Sequence, residues 1–151
     1  MEMVLNSKMD SNGFGVIKLP NSLNILLQSS FENIDRVNAE TKNFLIEKGL
    51  KSETFSVCLV LREGLTNAVR HAHKYDESKI IKYSLKIRCN CLIMTIEDQG
   101  DGFDWVSAKK RNPPPESDHG RGISIMTKYF NRCRYNKKGN KLMLIKVLDT
   151  K

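Results

Sequence analysis

The sequence predicts an α+β fold, a two-layer α/β sandwich in which about three helices cover one face of a mostly antiparallel mixed sheet. Three observations carry that prediction. Apolar residues recur at three- and four-residue intervals from Phe55 to Ala72, the mark of an amphipathic helix. Ile81, Tyr83, Leu85 and Ile87 alternate with Lys82, Ser84, Lys86 and Arg88, and the apolar run Cys91 to Glu97 follows directly after Asn90, which together read as a hairpin. Strand-like and helix-like segments also come in runs without strict alternation, which points away from a purely parallel sheet.

In chain order, Met1 to Gly13 carry little pattern, and Phe14 to Leu19 read as a short strand ended by Pro20. Residues 1–23 are therefore expected to be a flexible N-terminal extension holding one short extra strand at most, and residues 24–151 the folded domain. Asn24 to Ser29 read as a strand. A helix from about Asn33 to Lys48 follows, with Ile34, Val37, Phe44 and Leu45 at helical spacing and Gly49 marking its end. The central helix is expected to start at an N-cap Ser52 and to turn Phe55, Cys58, Leu61, Leu65, Ala68, Val69 and Ala72 to the core. After the hairpin, Gln99 to Gly120 is polar, broken by Pro113-Pro114-Pro115 and long for a structureless connection, which marks a loop with a function of its own. A short helix from about Arg121 to Phe130, with Ile123, Met126 and Phe130 inward, and two strands near Arg132 to Asn136 and Lys141 to Leu148 complete the chain.

Composition narrows the function classes. With 151 residues, 40% hydrophobic and 28% charged, the chain is expected to form one soluble globular domain, and no apolar run approaches the ~20 residues that span a bilayer. The formal charge of +8 favours anionic partners. Basic residues are nonetheless scattered, with short clusters only at Lys109-Lys110-Arg111 and Lys137-Lys138 and no interleaved aromatics, so direct nucleic-acid binding is not expected. Cys58, Cys89, Cys91 and Cys133 match no disulfide framework, and there is no secretory signal, which predicts a reduced, cytoplasmic setting. His71 and His73 with Cys89 and Cys91 lack the spacing of a structural zinc site.

Three stretches carry chemistry. On the central helix, a turn of 100° per residue puts Glu63, Asn67, Arg70 and His71 along one edge beside the apolar stripe. Asp98 stands at the end of a buried strand, followed by Gly100 and Gly102, which open backbone conformations closed to other residues. Gly120, Arg121, Gly122 and Ile123 lead into a helix, whose N-terminal amides and dipole favour an anion. Each has a plain alternative: a solvated helix face, a turn after a strand, a helix start.

In this order and at these separations, the three stretches resemble the Bergerat ATP-binding fold shared by gyrase, heat-shock chaperones, histidine kinases and DNA mismatch-repair ATPases. Glu63-x-x-x-Asn67 is similar to the asparagine box of that superfamily. Asp98-x-Gly100-x-Gly102 is similar to its first glycine box and Gly120-x-Gly122 to its second, with the ATP lid between them. The run from Glu63 to Ala72 most resembles the bacterial anti-sigma-factor serine/threonine kinases, and the resemblance extends over about Asn24 to Leu148.

That resemblance implies a histidine-kinase-like ATP-binding domain over residues 24–151, with ATP and Mg²⁺ as cofactors. It implies that Asn67 binds the Mg²⁺ through its amide oxygen, that Asp98 accepts a hydrogen bond from the adenine amino group, and that Gly100 and Gly102 let the chain pass beside the base. Amides near Gly120, Arg121, Gly122 and Ile123 would hold phosphate, with Arg121 or Arg70 adding a charged contact and His71 forming a pocket wall. Glu63 would be the general base that accepts the proton of a protein serine hydroxyl. The implied substrate is a small anti-anti-sigma protein of the STAS type, with a sigma factor or similar regulator as second partner, a homodimer as the assembly and no membrane contact. The competing reading is an ATP-gated module that sequesters a regulator without phosphotransfer. A histidine kinase would also require a phosphoacceptor helical hairpin, for which residues 1–23 are too few.

Overall fold

A computed structural model describes residues 9–102 and 118–148, with 118–123 described by their backbone alone. Six strands form one sheet, β1 (Phe14–Leu19), β2 (Ser22–Gln28), β3 (Ile80–Arg88), β4 (Cys91–Glu97), β5 (Arg132–Tyr135) and β6 (Lys141–Val147), in the order β1-β2-β3-β4-β6-β5. Every pairing among these strands is antiparallel, so the sheet expected to be mostly antiparallel is antiparallel throughout the described residues. The helices are α1 (Phe31–Glu47), α2 (Thr54–Asn67) and α3 (Asp118–Tyr129).

One face of the sheet carries the core. Leu23, Ile25, Ile81, Leu85, Leu92, Met94 and Leu144 meet Ile34, Val37, Phe44 and Leu45 of α1 and Val57, Val60, Leu61 and Leu65 of α2, and all of them are fully buried. The core is therefore the layer between the sheet and its helices, as an α+β sandwich requires. Strand β4 has a neighbour on each side, and Asp98 follows directly after it at the level where α2 ends.

Helix α1 begins two residues before the expected start, because Ser30 caps it: the Asn33 N–H donates to Ser30 Oγ at 3.1 Å. It ends as expected at Gly49, whose φ of +73° lets the Leu50 N–H reach the Leu45 carbonyl at 2.8 Å. The start of α2 departs from expectation. Ser52 lies inside a 3₁₀ turn, Lys51–Glu53, that runs straight into the helix, and no side chain caps it. The buried stripe is also displaced, since Phe55 is 70% exposed and Cys58 only half-buried, while Val57 and Val60 point inward. Phe55 packs edge-on against Tyr129 of α3, their ring centroids 6.2 Å apart, so the helix start uses its aromatic group for a surface contact.

The β3–β4 connection is a two-residue turn, with φ of +50° at Cys89 and +62° at Asn90. Positive φ at both central residues is the geometry of the primed hairpin turns, which suits Asn and Gly but strains Cys. Replacing Cys89→Asn is expected to raise the stability of the domain by up to about 1 kcal/mol, read as a higher urea midpoint with an unchanged slope.

Candidate functional site

Helix α2 does not continue as an α-helix to Ala72. After Asn67 the chain makes a π-helical turn, Ala68–Ala72, with the His73 N–H donating to the Ala68 carbonyl at 2.8 Å. Such wider turns concentrate at functional sites. Lys74 and Tyr75 then adopt positive φ of +49° and +65°, which reverses the chain towards β3.

Against this turn lies the end of β4. The Gln99 N–H donates to His73 Nε2 at 2.8 Å, and Gln99 Oε1 accepts from the Ile80 N–H at 2.8 Å. Gly100 is pressed beneath the helix end so closely that a Cβ there would stand 2.7 Å from the Ala72 carbonyl oxygen. Gly102, at φ +87°, meets the β5–β6 turn, and a Cβ on it would overlap the Lys138 carbonyl. Asn136 organises that turn by accepting from the amides of Gly139, Asn140 and Lys141. Asn140 in turn clasps Asp98, receiving its N–H at 2.9 Å and donating its own side-chain amide to the Asp98 carbonyl at 3.2 Å.

These three segments enclose a cavity of about 170 Å³. Its walls include Gly64, Asn67, Ala68, His71 and Ala72 from the helix, Ile96, Asp98 and Gly102 from the end of β4, and Tyr135, Gly139 and Leu142 from the last hairpin. Asn67, His71, Asp98 and Gly102 are thereby brought together, as the sequence led us to expect. Gly100 lies behind the wall. Glu63 is half-buried one turn before Asn67 and is not on the lining, while Arg70 is exposed, its Nε donating to the Tyr75 hydroxyl at 3.2 Å.

The second glycine stretch enters differently from expectation. Helix α3, Asp118–Tyr129, already includes Gly120 and does not start at about Arg121. Only the first few amides of a helix lack internal partners, so Gly122 and Ile123 sit past that free set. The side chain of Arg121, the inward placement expected of Ile123 and residues 103–117 of the expected lid lie outside the described residues. Met126 and Phe130 are buried as expected.

Burial raises the pKa of Asp98 above the usual carboxylate range, helped by neighbouring Glu97 and opposed by the Gly100 N–H, which donates to Asp98 Oδ1 at 2.8 Å, and by Lys138. Burial likewise raises the pKa of the Tyr135 hydroxyl. The described residues contain no group of three or more His, Cys, Asp or Glu side chains arranged to hold a metal, and no helix long and apolar enough to cross a membrane.

The chain matches the family model described as the histidine kinase-like ATPase domain over residues 27–146. It belongs to that family. Among its curated relatives, the anti-sigma F factor of Clostridium perfringens strain SM101 is 23% identical over 135 residues, covering 85% of this chain and 96% of that protein. The anti-sigma F factor of strain 13 is 24% identical with the same coverage. An ATPase domain binds ATP, and in this histidine kinase-like ATPase the cavity is the candidate site for it.

Sequence reasoning missed the far wall of the site. Tyr135, Gly139 and Leu142 come from a hairpin that carries no motif, and only tertiary packing brings them in. Gly64 left a legible signal, since a glycine inside a helix costs about 1 kcal/mol relative to alanine and asks for a reason. The reason is Ile96, whose Cδ1 would stand 2.6 Å from a Cβ on Gly64.

The raised pKa of Asp98 makes a signed prediction. A carboxyl whose folded pKa lies above its unfolded value favours folding below about pH 3.8, and that contribution is lost as pH rises through the folded value. At pH 7 the ionised, desolvated Asp98 therefore destabilises the empty protein. Asp98→Asn, whose amide oxygen still accepts the Gly100 N–H, is expected to raise the melting temperature without nucleotide and to abolish the further rise that ATP gives the wild type.

Proposed function

We propose that the chain is an anti-sigma-factor serine/threonine kinase that transfers the γ-phosphoryl group of ATP to a serine of a small anti-anti-sigma protein. The observation that carries this reading is the convergence of Asn67 and Asp98, 31 residues apart in sequence, on one cavity whose lining also includes Gly102. A carboxylate on the lining suits the adenine amino group, and an amide oxygen suits a cation held by phosphates. The names of the relatives support the partner class, and their coverage of nearly the whole chain supports the comparison.

In the proposed reaction Ala68, Ile96 and Leu142 bury the base, Asp98 accepts its amino hydrogen, and Gly120 with the start of α3 faces the phosphates. Asn67 offers a hard neutral oxygen, which fits Mg²⁺, an ion held mainly by phosphates and waters. When bound, Mg²⁺ supplies charge neutralisation at the phosphate oxygens. Glu63, half-buried one turn before Asn67, accepts the proton of the serine hydroxyl as its oxygen bonds to the γ-phosphorus and the bond to the bridging oxygen breaks, releasing ADP. The sheet face that carries no helix is the surface we assign to a homodimer, and a sigma factor is the second partner of the circuit.

The test is intact-mass analysis of proteins held by this chain from source-cell lysate, before and after Mg-ATP. A small bound protein is expected to gain one phosphoryl group with the wild type and none with Glu63→Ala, which should still bind ATP. Partners that come and go with nucleotide while none changes mass would replace the kinase by an ATP-gated binding module.

A further inference from the structure

His73 is an ionisable group beside the cavity that is 2% exposed, and the proposed reaction makes no use of it. Its position follows from the π-helical turn. On an uninterrupted α-helix, His73 would lie about 80° around from Leu65 and Ala72 would face the core. The wider turn brings His73 onto the buried side instead and leaves Ala72 half-buried over Gly100.

The hydrogen bonds fix the charge state of the ring. Nε2 accepts the Gln99 N–H, so the proton of the neutral imidazole sits on Nδ1, a buried atom with no hydrogen-bond partner among the described residues. A second proton taken from water would bond to Nε2 and set two donors, the new Nε2–H and the Gln99 N–H, against each other. It would also place a cation in a dry pocket. Gln99 is a strap with two ends, its N–H on His73 and its Oε1 on the Ile80 N–H, and it immediately follows Asp98. Losing the His73 end frees the stretch that sets both the Asp98 carboxylate and the Gly100 approach to Ala72.

We propose that neutral His73 is the positioning residue that holds the Asp98–Gly102 turn in its nucleotide-binding shape, and that its protonation releases this turn and weakens ATP binding. This regulation rests on the cavity being the ATP site. The ionisable groups around the ring divide: Asp76 favours the imidazolium, Lys79 on the same connection opposes it, and Asp98 at the end of β4 is turned to the Gly100 amide. Desolvation is the largest influence and lowers the His73 pKa below its ordinary value. The unfolded histidine therefore takes up its proton first as pH falls through about 6.5, so the contribution of His73 to the folded turn is intact above that value and lost as pH falls through the lower folded value.

The experiment is equilibrium ATP binding at pH 7.5 and 5.5 to the wild type, His73→Gln and His73→Leu. Glutamine keeps an acceptor oxygen that does not titrate, and leucine keeps bulk without an acceptor. Titrations shared by the three proteins, that of the nucleotide among them, cancel in the comparison. The wild type is expected to lose more affinity than His73→Gln over this interval, by less than the roughly tenfold that an unshifted histidine would give, and His73→Leu to bind weakly at both values. Amide exchange at Gln99 and Gly100 of the wild type, corrected for the intrinsic rate, should lose protection at pH 5.5. Equal pH dependence in wild type and His73→Gln, or unchanged protection, overturns the role of His73. No ATP binding by the wild type at pH 7.5 overturns the nucleotide site itself.

Discussion

The approach of Gly100 to the Ala72 carbonyl is the constraint on which the site depends. Backbone meets backbone there with no room for a side chain, and the same is true where Gly102 meets Lys138. Two of the three cavity walls are thereby locked to the end of β4 at main-chain distance, and a hydrogen bond donated by Asn140 to Asp98 and one accepted by His73 from Gln99 hold the stretch between. The glycines of this box serve the chain's own packing first. A cavity framed by main chain has little rotamer freedom to lose when a ligand enters, which favours a preorganised site.

The π-helical turn reconciles two demands that one α-helix cannot meet. Leu65 and Val69 must face the core, and the helix end must present Asn67 and His71 to the cavity while setting a backbone carbonyl over Gly100. Changing the pitch after Asn67 shifts the phase of every residue from there to His73. The strain is local, and the chain discharges it in the reversal at Lys74 and Tyr75, both at positive φ.

Much of this was legible in the residues. Strand alternation gave the hairpin to within a residue, because one wet face and one dry face leave a period-two signature, and Gly49 gave the end of α1 because a left-handed residue is needed there. Asn67, His71, Asp98 and Gly102 were legible because each carries chemistry in a short motif. The wheel failed at both ends of α2 for physical reasons. A 3₁₀ entry and a π exit each change the angle per residue, so a uniform 100° step put Phe55 inward and gave His73 no buried position. Tyr135 and Leu142 had no local signal, since their role comes from β6 lying beside β4, a pairing that no pattern within either strand specifies.

Selectivity in the proposed site comes from a cost already present before ligand arrives. Asp98 is held partly out of water, with one oxygen satisfied by the Gly100 amide and its charge opposed by Glu97. An adenine amino group supplies the donor that this environment lacks. Guanine presents a carbonyl oxygen at the same place, setting acceptor against acceptor. An unpaired buried polar group costs about 1–3 kcal/mol, and more when charged, so the mismatch alone separates the two bases by roughly tenfold or more. The apolar walls bind either ring by burial and discriminate little. In the proposed site, the carboxylate that weakens the empty protein would thus be the group that tells one purine from the other.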